Sequence, residues 1–580
     1  MFPFLSSQAL REEAFRIVDH DLLSLRCALL GERTTQFLAG QLPPAGKIKG
    51  LEIALYQGGY DQIQAEVLNP TSDLYQFQPE ILVLLPSLGK RKRQFYALDS
   101  AEQQDFAQTY LAEQRQLIQT LRKQITGPII LGNLEIGLDE GFGHGANRQP
   151  ASWLHQLRKI NVGLMELAIE AESVHVLDIA ALVSQVGLQQ AQDPSLYVNA
   201  DLPFTMDMEA YLAQALAQMM AAIRGKIKKC LVLDLDGTIW GGIIGDDGVA
   251  GIQVGGSGVG KAFLELQQWA KHLQQRGIIL AICSKNEQRI AEAPFLSHPE
   301  MALKREDIAV FVANWSPKSE NIRHIQEVLN LGLDSIVFLD DNPVERAEVR
   351  AALPQVAVPD LPKDPAKRLA YLRQCNFFEA ASLSSSDSQR TQQHQAEAQR
   401  TASKPQFSDL KQFLQSLEMQ AKVQPFQAAQ LPRLAQLSQR TNQFNLRTLR
   451  YSEAELKLIM ASPRHLTLQL ELTDTFGPYG LIAMVIGEMQ ADGRLFLQHW
   501  CMSCRVFQRG VEQLTLNQLV SFARQMGATH LLGEIIATPK NGPVRELYQR
   551  LGFVQTEKEQ WELALAEAMP LPHEIQLLNE

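Results

Sequence analysis

The run from Cys230 to Leu235 is apolar except for Asp234, and Asp236, Gly237 and Thr238 follow it. An uninterrupted apolar run of this length reads as a parallel strand buried on both faces, and ligands bind beyond the carboxyl ends of such strands. Asp234 and Asp236 therefore stand where a ligand would. A carboxylate can attack a phosphoryl group to give an aspartyl-phosphate, which divides one difficult displacement into two easier ones. A second acid two residues on shares the same side of an extended chain, and it can protonate the leaving oxygen and later deprotonate water. Taken alone, Asp-x-Asp at a strand end also reads as a turn.

Three further strand ends carry compatible groups. Ile278 to Cys283 stops at Ser284, followed by Lys285 and Asn286, where a hydroxyl and the next backbone N–H can hold phosphate oxygens; a helix N-cap at Ser284 is the other reading. Asn314 to Lys318 introduces a helix expected over 317–330, with Ser316 as N-cap and Pro317 at its first position. Lys318 then sets a positive charge at the positive end of the helix dipole, a conflict that a bound anion would relieve. Its other reading is a solvated surface lysine. Ile336 to Leu339 ends at Asp340 and Asp341, adjacent carboxylates that repel unless a cation neutralises them. Mg²⁺, which takes a few carboxylates plus waters and substrate oxygens, suits that pair.

Access is set by the residues that come after the nucleophile. Gly241, Gly242 and the Gly245-Asp246-Asp247-Gly248 stretch predict a short hairpin flap, and a helix expected over 261–276 begins too soon for a cap domain to intervene. The site should be open, which suits a bulky or tethered substrate. Trp240 is either part of that access or plain core.

The elements that hold these residues lie in a chain of 580 residues, too long for one core at roughly 150 residues per domain. Apolar residues make up 45% and charged residues 20%, as in soluble globular proteins, and the net charge of −10 argues against nucleic acid or an anionic membrane as the main partner. No apolar run approaches the length of a spanning helix, the first fifteen residues lack the pattern of a secretory signal, and six cysteines are too sparse for a disulfide framework. A reducing cytoplasm fits best. Short apolar strands such as 81–85, 129–131 and 174–177 alternate with helical stretches such as 101–124, an α/β layout. The expected division is an α/β domain over 1–222, the phosphoryl-transfer domain over 223–380, a polar linker or helix over 381–405, and a mixed α+β domain over 406–580 with strands near 466–472, 482–486 and 495–499.

Four strings carry a resemblance: LVLDLDGTIWGGIIGDDG (231–248), LAICSKNE (280–287), HPEMALKREDIAVFVANWSPK (298–318) and LNLGLDSIVFLDDNPVERAEVR (329–350). Together they resemble the haloacid dehalogenase (HAD) superfamily, and within it the FkbH-like family. The resemblance implies a central Rossmannoid parallel sheet with Asp234 as nucleophile and Asp236 as acid/base. It makes Ser284, Lys285 and Lys318 the phosphate binders, and Asp234, Asp236 through its carbonyl, Asp340 and Asp341 the Mg²⁺ ligands. Gly237 stands where many relatives carry Asn, with little effect expected.

The flanks carry weaker resemblances. LGERTTQ (30–36) resembles the first block of an SGNH-hydrolase-like, flavodoxin-like fold, but Glu32 and Arg33 stand where Asp and the nucleophilic serine would, so no Ser-His-Asp chemistry can be built there. RTNQFNLRT (440–448), DTFGPYGLIA (474–483), SCRVFQRGVE (503–512) and LYQRLGF (547–553) are similar to a GNAT acyltransferase-like domain. Arg505, Arg509 and Gly510 then fall on its turn for CoA or a phosphopantetheine arm, with Gln508 at the central glycine position. Cys283 and Cys504, each beside a cation that would favour the thiolate, are the candidate acyl-bearing thiols. The family is associated with loading glyceryl units from 1,3-bisphosphoglycerate onto acyl carrier proteins. The resemblance thus implies a phosphorylated small-molecule substrate and a carrier-protein partner; a plain small-metabolite phosphatase and a non-catalytic assembly protein are the alternatives.

Overall fold

The computed structural model describes residues 4–17, 22–137, 141–171, 173–380, 410–441, 443–538, 541–557 and 559–578. The linker expected over 381–405 lies outside them. The chain divides into two compact units, one formed by 4–226 with 452–455 and the other by 227–451 and 456–580. Among the described residues no helix is long and apolar enough to cross a membrane.

The first unit is built on five parallel strands, β1 (Leu23–Gly31), β2 (Leu51–Gln57), β3 (Ile81–Leu85), β4 (Ile129–Gly132) and β5 (Val174–Leu177), in the order β2-β1-β3-β4-β5. β3 and β4 are buried along their whole length, as their unbroken aliphatic sequences require.

The second unit contains two sheets. The region of the four motif-bearing strand ends folds on parallel strands, β6 (Cys230–Leu233), β7 (Ile279–Ser284), β8 (Ile308–Ala313) and β9 (Ile336–Leu339), in the order β8-β7-β6-β9. Register does the positioning. β6 pairs with β9 up to Leu233 and Leu339, and the Asp234 amide donates to the Leu339 carbonyl at 2.9 Å, so Asp234 and Asp340 emerge side by side. β6 pairs with β7 up to Leu233 and Ile282, which brings Cys283 and Ser284 out on the other flank.

The stretch after Asp236 departs from the expected hairpin. Gly241 and Gln253 exchange backbone hydrogen bonds at 3.0 and 2.8 Å, and between them run short helical turns over Ile244–Gly251, broken at Gly248 (φ +64°), in place of a single tight turn at 245–248. Asp247 causes the difference, since its carboxylate accepts from the Ile243 amide at 2.8 Å and holds the first turn helical. The next helix starts at Gly260, so no cap domain intervenes.

The remaining strands form a mixed eight-stranded sheet: β10 (Gln420–Gln424), β11 (His465–Asp474), β12 (Gly477–Met489), β13 (Arg494–Met502), β14 (His530–Glu534), β15 (Val554–Glu557), β16 (Gln560–Ala564) and β17 (Gln576–Leu577), in the order β15-β16-β14-β13-β12-β11-β10-β17. Its long β11–β12–β13 meander is antiparallel, whereas β13 and β14 run parallel. His499 on β13 is fully buried, with both ring nitrogens unbonded among the described residues and the Tyr451 ring edge-on at 5.2 Å.

Burial, aided by Arg450 and Arg447, lowers the His499 pKa from 6.5 to about 3. The unfolded chain thus takes up this proton near pH 6.5 while the folded chain refuses it until about 3. This contribution to stability is fully present above pH 6.5 and is lost as pH falls, at about 1.4 kcal/mol per pH unit. Burial lowers His175 as well, so in urea unfolding of the full chain between pH 6 and 5 His499→Leu should reduce the pH slope by about 1.4 kcal/mol per unit rather than abolish it.

Candidate active site

Asp234 leaves β6 with its side chain 9% exposed, and Asp340 leaves β9 with none. Lys318, 3% exposed at the head of the helix Lys318–Leu329, sets its ammonium 2.8 Å from Asp234 Oδ1 and also on Asp340 Oδ2. The lysine thus satisfies the dipole conflict with the chain's own anions. The helix begins one residue later than expected, with Pro317 preceding it and no side-chain cap. Glu348 instead accepts from the Ser319 amide at 3.3 Å and from its hydroxyl.

Oxygens of Asp234, Asp340 and Asp341 lie within 4.8 Å of one another. Three carboxylates meet one ammonium among them, with Arg368 acting on Asp341 from the side, and the negative charge left over is one that a divalent ion would offset. An all-oxygen donor set of this kind suits Mg²⁺ rather than a thiolate- or imidazole-seeking metal. Burial and the neighbouring Asp340 push both Asp234 and Asp341 upward from the usual carboxylate range, against the pull of Lys318 on Asp234 and of Arg368 and Lys318 on Asp341, while Asp234 and Asp340 push Lys318 upward against its burial. Asp236 contributes no carboxylate to this group, so only its backbone carbonyl remains available from the expected ligand set.

Asp236 sits in a separate polar pocket. Its Oδ1 accepts from the Trp240 indole at 2.8 Å and the Ile244 amide at 2.9 Å, and its Oδ2 accepts from the Asn286 amide at 2.8 Å. Asn286 also donates to Ser284 Oγ at 3.2 Å, which ties Ser284 to the same pocket. Lys285, expected among the phosphate binders, turns its ammonium onto Glu345 at 2.7 Å; that ion pair, and no contact with the carboxylate cluster, is what the structure gives it.

Four residues that sequence reasoning passed over hold the loops. The Thr238 hydroxyl accepts from the Asp341 amide at 3.0 Å. Arg346 donates to the carbonyls of Asp340 and Asp341 at 2.9 and 2.8 Å, and Arg368 donates to the Gly237 carbonyl. Asn286, noted only as a neighbour of Ser284, bridges two site residues. Arg346 lies in the first helical turns after Asp340, where its reach back to that loop was foreseeable; Arg368 is joined to Gly237 only by tertiary folding. Gly237 itself adopts φ +68°, and a Cβ there would come within 2.5 Å of the Asp341 carboxylate. Large apolar side chains stand exposed after each of the four strands: Ile243 and Trp315 in the loops, and Ile290 and Val344 in the first turns of the helices Gln288–Ser297 and Pro343–Ala352.

The thiol expectation for Cys283 is corrected. Its side chain is wholly buried and donates to the Lys318 carbonyl at 3.7 Å, and desolvation drives its pKa up despite the opposing pull of Lys318, with Asp234, Asp340 and Glu345 adding to the rise. The side chain of Cys504 lies outside the described residues, and its neighbour Cys501 is buried and free. Around the expected arm-binding turn, Arg505 is 9% exposed and donates to the Tyr479 carbonyl at 3.1 Å, while Arg509 lies over the Tyr479 ring at 5.5 Å. Gln508 (φ +59°) and Gly510 (φ +87°) keep the left-handed backbone that glycines would serve, yet the Gln508 amide donates to the Glu512 carboxylate at 3.0 Å. In the first unit Arg33, at the position of a would-be nucleophile, is 3% exposed and paired with the buried Glu209 at 2.5 Å.

Residues 26–221 match the family model described as FkbH, N-terminal domain. No curated protein matches the chain. Among solved structures, the chain is similar to the N-terminal part of protein BF1531 from Bacteroides fragilis, described as containing a phosphatase domain and complexed with Mg: identity is 40%, the match covers 65% of this chain and 100% of that one, and the TM-score is 0.62. The chain belongs to the FkbH-like family. FkbH-like membership accounts for both the first unit and the phosphoryl-transfer region. Matches to the ribosomal-protein-S18-alanine N-acetyltransferase of Escherichia coli (19% identity, 24% of this chain, 88% of that one, TM-score 0.19) and to spermidine N-acetyltransferase of Vibrio cholerae (13%, 26%, 98%, 0.21) are too slight to bear on activity.

Mg²⁺ should raise the unfolding temperature of the full chain, by about 2.7 kcal/mol of stabilisation at a hundredfold excess over Kd. Asp340→Asn, which removes one of the three converging charges, should weaken Mg²⁺ binding at least about tenfold by titration calorimetry, a loss of about 1.4 kcal/mol.

Proposed function

We propose that the protein is a Mg²⁺-dependent phosphatase acting through an aspartyl-phosphate, and that it serves the transfer of a glyceryl unit to an acyl carrier protein. The observation that carries the first half is the meeting of Asp234, Asp340, Asp341 and Lys318 at adjacent parallel strand ends, with Asp236 held beside them. The 40% identity to a phosphatase-containing protein complexed with Mg supports the same reading.

In this reading Asp234 attacks phosphorus, forming an Asp234 Oδ–P bond as the bond to the leaving oxygen breaks, and Asp236 gives its proton to that oxygen. Water then attacks the aspartyl-phosphate, Asp236 takes the proton back, and inorganic phosphate leaves with the nucleophile restored. Lys318 holds Asp234 and is placed to offset charge on the transferred group. Asp234, Asp340, Asp341 and the Asp236 carbonyl would hold Mg²⁺, whose positive charge would lessen repulsion between nucleophile and phosphate.

The transfer half rests on family membership and on the absence of a cap between Asp236 and the helix Gly260–Gln275. With no cap domain in that interval, and with Ile243, Ile290, Trp315 and Val344 exposed on the segments that follow the four strands, the region suits a donor or acceptor larger than a free metabolite. In this reading the acyl acceptor is the carrier's thiol, and Cys283 does not compete for the role, since burial encloses it and drives its pKa up. From a 1,3-bisphosphoglycerate-like donor, Asp234 would remove the phosphate ester, while the acyl phosphate would acylate that thiol, the S–C bond forming as the C–O bond to phosphate breaks and the thiol proton leaving with the phosphate.

Incubating the full chain with Mg²⁺, 1,3-bisphosphoglycerate and a phosphopantetheinylated carrier should release phosphate and add a glyceryl mass to the carrier. Phosphate release with no mass gain would leave a plain phosphatase. Asp234→Asn should lower phosphate release by at least about 10³-fold, and unchanged release in that variant would remove the nucleophile assignment.

A further inference from the structure

A carboxylic acid that must deliver a proton to one oxygen and retrieve one from water depends on where its own oxygens point. Asp236 leaves the strand end through Gly237, and the amides of Thr238 and Ile239 both donate to the Leu235 carbonyl, at 3.0 and 2.9 Å. This tight turn folds the chain back so that Trp240 pairs with Asp236. The indole is wholly buried, edge-on to Phe295 at 6.0 Å, and its one polar atom is the N–H that reaches Asp236 Oδ1. An indole needed only to fill space would bury that N–H at a cost unless a partner were supplied, and many apolar side chains fill space without one.

The Ile244 amide joins Trp240 on Oδ1, and Asn286, 6% exposed, takes Oδ2 from the β7 loop. Three N–H donors, two from the stretch that follows Asp236 and one from the β7 loop, thereby fix the plane of the carboxylate. They also load it unequally. A carboxylate oxygen offers about two acceptor sites, so Oδ1 is filled by its two donors and Oδ2 keeps one site.

We propose that Trp240 and Asn286 are positioning residues that lock the Asp236 carboxylate with Oδ2 as the oxygen that carries the proton, a proposal resting on the reading of Asp236 as acid/base. Asn286 adds a second function, because the same amide group holds Ser284 Oγ and so fixes the proton donor relative to a phosphate-side hydroxyl. Neither residue touches the reacting atoms. Their effect passes through Asp236 and should appear only where proton delivery matters.

The test compares two probes with the full chain and Mg²⁺: p-nitrophenyl phosphate, whose leaving group departs with little protonation, and glycerol 3-phosphate, whose alkoxide needs a proton. kcat/KM reports phosphoryl transfer to Asp234, the step in which the acid acts. Trp240→Phe and Asn286→Ala should each lower kcat/KM for glycerol 3-phosphate by about 10²-fold or more, while that for p-nitrophenyl phosphate falls by a small factor only. The Mg²⁺-induced rise in unfolding temperature should persist in both variants. Asn286→Ala, which trims one polar side chain at the site edge, keeps the test valid if Trp240→Phe loosens the fold. Equal losses on both probes, or none on either, would reduce the two residues to packing and overturn the proposal. No phosphate release from either probe by the unmutated protein would instead overturn the phosphatase reading itself.

Discussion

The phosphoryl-transfer region is organised around a repulsion. Its parallel register brings Asp234 and Asp340 out side by side, Asp341 follows, and little solvent reaches the first two. Even at an effective dielectric of about 20, like unit charges about 4 Å apart repel by about 4 kcal/mol. Lys318 cancels one charge of three, which explains why an ammonium is kept almost wholly buried at the positive end of a helix. The loops are held by groups that add no further anion to the cluster: the Thr238 hydroxyl, and Arg346 and Arg368 on backbone carbonyls. The remaining surplus is the condition for a divalent ion, so the fold carries an unmet charge where the chemistry needs a cation.

That organisation was largely legible in the residues, because it is written in strand ends. Apolar runs that stop at a carboxylate, a hydroxyl or an acid pair mark the functional edge of a parallel sheet wherever tertiary packing later places them. The flap was less legible. Two glycine-bounded acids suggested a hairpin, yet a single carboxylate, Asp247, accepting from Ile243 tips the segment into a helical turn. Lys285 and Cys283 were misplaced for the same reason. Sequence shows which charges are near along the chain, whereas Glu345, sixty residues on, captures the lysine and burial silences the thiol. Full burial shifts an ionisable group by up to 3–5 units, more than the pull of one lysine when three carboxylates oppose it.

The C-terminal sheet shows the reverse case, in which backbone shape outlasts the side chains expected with it. Gln508 occupies a left-handed conformation that a residue other than glycine adopts at a cost, so the turn between β13 and the helix Val511–Gln525 keeps its form without the expected glycine. What fills the turn is internal. Glu512 accepts the Gln508 amide, while Arg505 and Arg509 settle on Tyr479. Groups that would greet an anionic arm are engaged with the domain's own side chains, which shifts the weight of the function toward the phosphoryl-transfer site.

Two aspartates separated by one leucine are therefore held by opposite means, and the difference fits their tasks. Asp234 faces an ammonium and the place for a divalent ion, charges that favour an ionised nucleophile. Among the described residues, Asp236 is met by neutral N–H dipoles, from Trp240, Ile244 and Asn286. A cation at that position would oppose the proton that an acid must carry for part of each cycle, whereas dipoles fix direction with a weaker preference between the two protonation states. The turn at Gly237 separates the two environments within three residues, and Arg368 on its carbonyl keeps the separation fixed. Strand register can bring carboxylates together, but only that turn lets neighbouring carboxylates do different chemistry.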